Sequence, residues 1–446
     1  MPHQDQGRLV AGSTLAGALD GLVGSELFGK LAFRADCRWT PQTLVQATLV
    51  WAWGEATTLA ERCLAAQETI APASGGQREL VSYQAFLKLL QRHSASLLFA
   101  LIVALQRRMR EALGGSYRVA GRLAFGVDGT RLDAPRTMAN EQSFGVARCR
   151  TRRRGRRRRA ARKKAAAPRV WLTALWHLGS GLPWNWQRGP SDSSEREHAL
   201  KMLDWLPERS LLVADAGFTG YEFWEALQAR GHDFLIRVGA NVTLLKELGY
   251  FRERGGRVYL WPDRQQRRGS PPLVLRLVVA HDGKYPVYLV TNVLTQTALT
   301  DRQVIELYQA RWGIEVFFRS FKRTFGRHKL LSASPEAVCL ELDWSLAALW
   351  AACLYAKVQQ CQAGADLTRT SVAQVLRILR RAIRQPRLAL DLLLTLALID
   401  NYTRASKASR DYPRKKTEAP ATAPPIILKA NSHQTLRAQQ LRRLTA

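Results

Sequence analysis

The chain is poor in cysteine, and none of its cysteines is spaced for paired chemistry. The six residues, Cys37, Cys63, Cys149, Cys339, Cys353 and Cys361, are scattered with no C-x2-C pair. That excludes a zinc-ribbon or disulfide framework and reads as buried thiols in a reducing compartment. The eight histidines are equally dispersed, which leaves no basis for a histidine-built metal site. Long apolar runs are missing too. The uncharged stretch WSLAALWAACLYA, from Trp344 to Ala356, is too short to span a bilayer and is expected as a core helix. The opening MPHQDQGRLV lacks the basic and apolar regions of a secretory signal. With no lipidation signal or basic amphipathic helix either, a membrane is not an expected partner. Acids are scarce: 36 Asp and Glu stand against 67 Lys and Arg, for a net charge of +31. So basic a chain calls for a polyanion, and nucleic acid is the usual one.

What is present is a folded protein. An apolar content of 46% with 13 Trp rules out general disorder, and 446 residues are enough for two or three structural units. Residues 1–118 carry helix-period apolar patterns, TPQTLVQATLVWAWGEA among them, and predict a helical N-terminal domain. From residue 119 the pattern turns to strands: RLAFGVD, VWLTALWHL and PWNWQR. A helix (SEREHALKMLDWL), a strand (SLLVAD), a helix (GYEFWEALQARG) and a strand (DFLIRV) follow. A β-rich stretch at about 240–290 precedes the segment LYQARWGIEVFFRSFK. The catalytic unit is expected over 119–335 and C-terminal helices over 336–403. Residues 148–164 hold 12 Arg or Lys and no acid, which reads as an arm for a polyanion or as a solvated loop. The basic, Pro/Ala-rich stretch 404–446 reads as a disordered tail.

Within LYQARWGIEVFFRSFK, Tyr308, Arg311, Glu315 and Lys322 stand at offsets of 3, 7 and 14, which on one helix places them within an arc of roughly 60°. Such a stripe is either a solvated salt-bridge face or a group that grips a phosphate beside a carboxylate. Gly313, inside the segment, would let the helix bend between Arg311 and Glu315, and Trp312 beside it is expected in the core. Two further carboxylates favour the second reading. Asp128 ends LAFGV and Asp215 ends SLLVA, each followed by a turn with glycine, Gly129 and Gly217. A carboxylate at the end of a buried strand lies at the carboxyl edge of a sheet, where open α/β folds place their sites.

The order Asp, Asp, Glu, with the glutamate inside Tyr-x2-Arg-x3-Glu-x6-Lys, resembles the DDE transposases of bacterial insertion sequences, specifically the insertion-sequence-four type, over about residues 120–330. The resemblance implies an α/β fold with a ribonuclease-H-like core, a β-rich insertion before the glutamate helix, and helical parts at both ends. It implies Asp128, Asp215 and Glu315 as catalytic ligands of two Mg²⁺ ions, with Mn²⁺ able to substitute, and Tyr308, Arg311 and Lys322 as DNA-phosphate contacts. It also implies element ends and target DNA as partners, a homodimer on DNA, and a cytoplasmic, nucleoid-associated protein. Family members that make a hairpin flip a base onto a strand Trp, where this chain has only Tyr285 and Tyr288. A transposase-derived binding protein without catalysis, or a stand-alone metal-dependent nuclease, would carry the same core.

Overall fold

The computed structural model describes residues 13–29, 31, 33–34, 37–70, 81–145, 167–252, 256–281, 285–399 and 423–445. The arginine-rich run at 148–164 and residues 404–422 of the expected tail lie outside them.

The chain opens with helices α1 (Leu15–Leu22), α2 (Pro41–Trp53), α3 (Leu59–Ile70) and α4 (Tyr83–Ala112). Their starts are written in capping chemistry. Thr40 and Thr43 form a reciprocal capping box ahead of Pro41 at the first position of α2, and the Ser82 hydroxyl accepts the Ala85 N–H to start α4. Next come β1 (Ala124–Asp133), α5 (Met138–Phe144), β2 (Arg169–His177), β3 (Leu182–Gly189), α6 (Glu195–Met202), β4 (Leu211–Ala214), α7 (Tyr221–Ala229) and β5 (Asp233–Val238). Then follow β6 (Thr243–Lys246), β7 (Arg257–Leu260), α8 (Asp263–Arg268), β8 (Leu273–His281) and β9 (Pro286–Thr291). The final elements are α9 (Asp301–Ala310), α10 (Trp312–Arg319), α11 (Pro335–Gln362), α12 (Val372–Arg384), α13 (Leu390–Thr395), β10 (Ile426–Lys429) and α14 (Ser432–Thr445).

All ten strands form one sheet in the order β10-β6-β7-β8-β9-β5-β4-β1-β2-β3. β1, β2 and β3 pair antiparallel, while β4 lies parallel to β1 and β5 parallel to β4. The runs AFGV and LLVA in this parallel region are fully buried, as a strand covered on both faces requires. The β-rich stretch at 240–290 is an insertion in sequence but continues the same sheet, because β9 pairs antiparallel with β5.

The run Trp344–Ala356 lies in α11, where every one of its residues is buried. Helices α4 and α11 are both long and apolar enough to cross a membrane, yet the apolar window of α11 is 94% buried inside the protein, which makes it the core helix. Tryptophan N–H groups tie the N-terminal helices to it: Trp53 donates to the Ala348 carbonyl at 2.8 Å, and Trp344 to the Ser94 hydroxyl at 2.8 Å. On the sheet side, the buried Asp343 carboxylate accepts from Trp186 at 2.9 Å and from Arg188 at 2.9 Å. One apolar core therefore runs from Leu15 to Ala397, and the N-terminal helices share it with the catalytic unit.

The C-terminal stretch departs from the tail expected of it. Residues 426–429 pair in parallel with β6, and Ala430 and Ala438 pack with Leu245, Leu248, Tyr259 and Trp261 in a second small core. PPIIL, too short to stand alone, gains its ladder from an exposed strand edge, and this tertiary pairing outweighs the polar composition around it. Deleting residues 423–446 should expose that small core. Amide hydrogen exchange should speed up in β6 and β7 and stay unchanged in β1 and β4; unaltered protection in β6 would show that the pairing does not form.

Candidate active site

Register builds the site. Val127 of β1 pairs with Ala214 of β4, and Ala214 with Ile236 of β5. The next residues, Asp128, Asp215 and Arg237, therefore emerge side by side from three parallel neighbours at the carboxyl edge of that part of the sheet, where backbone pairing ends and space opens. Asp215 ends its strand as expected, and its Oδ1 caps the following turn by accepting the Ala216 N–H at 2.8 Å. Asp128 differs, because β1 runs on to Asp133 in register with β2, so Gly129 is a strand residue opposite Thr173 and not a turn. Its need for glycine is steric: a methyl group there would lie 2.4 Å from Oε1 of Glu195.

Glu315 reaches the pair from above. Gln303 and Thr300 close a capping box that starts α9, and α9 ends at Tyr308–Ala310. The chain restarts at Trp312 as α10, with the break at Arg311. Arg311 crosses β1 at Gly126, where a methyl would crowd Leu178 at 3.3 Å while meeting the Arg311 Cγ at an ordinary 3.7 Å. Gly313 packs against Trp176, where a methyl would come within 3.1 Å of the indole nitrogen. Past Arg319 the helix widens into a π turn over Ser320–Thr324, closed by the Phe325 N–H on the Ser320 carbonyl at 2.9 Å. A π turn advances fewer degrees per residue, so the stripe drawn on one straight helix does not persist to Lys322.

The outcome is a split constellation. Asp128, Asp215, Glu315, Arg311 and Tyr308 are gathered. Arg311 donates to Glu315 at 3.0 Å and lies 5.4 Å above the Tyr308 ring, and its side chain is buried. Tyr308 is buried and accepts a hydrogen bond from Arg237, which also pairs with Asp215 at 3.5 Å. Lys322 lines a neighbouring cleft of about 470 Å³, together with Gly129, Arg131, Arg169, Glu195 and His328. Burial pulls its ammonium below its usual pKa, Asp133 working against the shift. Trp312 is 57% exposed and not part of the core.

Two residues of the site carry no motif. Arg237 shows in sequence only as a lone cation within the apolar strand DFLIRV. Glu195 opens α6, and its carboxyl is pushed up by burial and then by the nearby negative charges of Asp128 and Asp215. Asp128 is pushed up to about 6, first by burial; the Gly129 N–H and Arg311 oppose the rise, and Glu315 and Asp215 add to it.

Among the described residues, no three Asp, Glu, His or Cys side chains close around a point that could hold a metal ion. The two arginines account for this, since each holds one of the acids. The donor set nevertheless suits a hard dication: every donor is an oxygen, and Asp128 and Asp215 are neighbours in register. Bringing Glu315 in requires it to leave Arg311.

Because the folded Asp128 carboxyl titrates near 6, above an ordinary aspartate, its ionisation opposes folding. The cost builds as pH rises from about 4 to about 6 and is constant above. Asp128→Asn in divalent-free buffer should therefore stabilise the chain at pH 7.5 by roughly 3 kcal/mol, and the gain should vanish by pH 4. Thermal melts across that range decide it; no gain at pH 7.5 would contradict the buried, crowded state of this carboxyl.

Comparison with known proteins agrees with this geometry at the level of family. No curated protein matches the chain. Among solved structures, a cryo-EM structure of a piggyBac transposase synaptic complex with hairpin DNA is similar at 12% identity over 92% of this chain and 90% of that one. Its TM-score of 0.38 is too low to bear on fold or site. The family model described as transposase DDE domain matches residues 122–351, more than half the chain and the whole span from β1 through α10. The chain belongs to the transposase DDE domain family.

Proposed function

We propose that the chain cuts and joins DNA phosphodiesters at the ends of an insertion element, as a transposase of the insertion-sequence-four type. The carrying observation is the register that sets Asp128 beside Asp215, with Glu315 brought over them by α10. The strand order β3-β2-β1-β4-β5, with acids leaving the adjoining β1 and β4, supports reading the core as ribonuclease-H-like. Asp128, Asp215 and Glu315 would hold Mg²⁺, or Mn²⁺ in its place. When bound, such ions lower the pKa of an attacking water or 3′-hydroxyl and offset charge on the leaving oxygen.

The chain's own residues do the rest. Asp128 must be ionised to contribute, and burial holds its carboxyl above an ordinary aspartate until a cation favours the charged form. Arg311, a planar fork now engaged by Glu315, can turn to a DNA phosphate once that carboxylate is drawn inward. Lys322, with Arg131 and Arg169 in its cleft, suits a neighbouring stretch of backbone. Tyr308 acts through Arg237, holding it against Asp215. The 12 cations of residues 148–164 fit the rest of the duplex. Paired element ends and target DNA would be handled by a homodimer in the bacterial cytoplasm, at the nucleoid.

Asp128→Asn, Asp215→Asn and Glu315→Gln keep shape and remove charge, so each should lower cleavage of element-end DNA in Mg²⁺ by at least about a hundredfold while leaving DNA binding in place. Full activity in any one of them removes that residue from the site. A wild-type chain that binds ends without cutting them would favour a transposase-derived binding protein, and cutting without preference for inverted repeats would favour a nuclease.

A further inference from the structure

Glu195 stands where a family triad has no member. It is the first residue of α6, whose start is fixed by the Ser194 hydroxyl accepting the Glu197 N–H. α6 packs on β2 and β3, and its first turn reaches across to β1. A methyl group at Gly129 would lie 2.4 Å from the Glu195 Oε1, and one at Gly217 would lie 3.5 Å from its Oε2. Each glycine lies just past one of the paired aspartates, Gly129 directly after Asp128 and Gly217 two residues after Asp215. The carboxylate thus lies between the two acidic strand ends, in tight quarters at Gly129 and at ordinary contact distance from Gly217.

Charge pairing singles out the same residue. Asp215 is held by Arg237 and Glu315 by Arg311. Among the described residues, Asp128 and Glu195 form no ion pair. Each feels one arginine only through space, Asp128 the charge of Arg311 and Glu195 that of Arg131; two adjoining, partly buried carboxylates with no direct ion pair are what a divalent cation compensates best. Asp128 spends its Oδ1 on the Gly129 N–H at 2.8 Å, so the shared ion would fall to its other oxygen and to Glu195.

We infer that Glu195 is a fourth carboxylate of the site, joining Asp128 as an oxygen ligand of the divalent cation. This rests on the reading of Asp128, Asp215 and Glu315 as a metal site. The test is Mn²⁺ titration of the full chain followed by electron paramagnetic resonance, which needs no DNA and no turnover. Glu195→Gln should weaken Mn²⁺ binding at least about tenfold, with a melting temperature in metal-free buffer no lower than that of the wild type. Gly129→Ala, which displaces the carboxylate and spares every acid, should weaken it as well. Wild-type affinity in Glu195→Gln overturns the inference. If Asp128→Asn loses Mn²⁺ in the same experiment, only the role of Glu195 fails. If Asp128→Asn also keeps full affinity, or the wild-type chain takes up no Mn²⁺, the metal-site reading falls with it.

Discussion

The crowding of partly buried acids is the constraint around which this candidate site is arranged. Asp128, Asp215, Glu195 and Glu315 lie at one edge of a buried sheet, where burial first and neighbouring like charges second push up the carboxyls of Asp128 and Glu195. The fold meets that cost with two arginines from different directions. Arg237 comes up from β5 in the row of the aspartates, and Arg311 comes down from the helix break. Strand register, the small residues Gly129 and Gly313, and the interruption between α9 and α10 all serve to bring these charges within reach of one another.

That arrangement explains why the site is built from rigid parts. The aspartates sit on parallel strands whose flanking residues are wholly buried. The glutamate rides on a helix packed against β1, with Phe317 stacked on Trp176 at 4.8 Å between ring centres. Behind them α11 fills the core and is pinned by Asp343 to β3 and by tryptophan N–H groups to the N-terminal helices. On the proposed function, Arg311 would exchange Glu315 for a phosphate while this frame stays fixed.

Much of this was legible in the sequence, and the reasons for the rest are physical. Asp128 and Asp215 could be found because buried strands announce themselves as apolar runs, and an acid at the end of one stands out. Tyr308, Arg311 and Glu315 followed from helical spacing. Lys322 did not follow it, because nothing in SFKRT signals a π turn. Glu195 was invisible because an acid in the first turn of a helix usually serves the helix dipole; only the three-dimensional closeness of Gly129 gives it a different meaning. Trp312 was misplaced because apolarity does not reveal which face of a helix meets solvent. The C-terminal strand was hidden in a basic segment whose partner edge lies about 180 residues earlier in the chain.

The central claim is that these acids form a divalent-cation site at the carboxyl edge of β1 and β4. Anomalous diffraction from Mn²⁺-soaked crystals of the full chain tests it most directly. The account predicts an anomalous peak within about 2.1 Å of an Asp128 carboxylate oxygen, with the Arg311–Glu315 pair opened. Crystals that show no peak at Asp128, while Mn²⁺ is visible elsewhere on the same molecule, would contradict it.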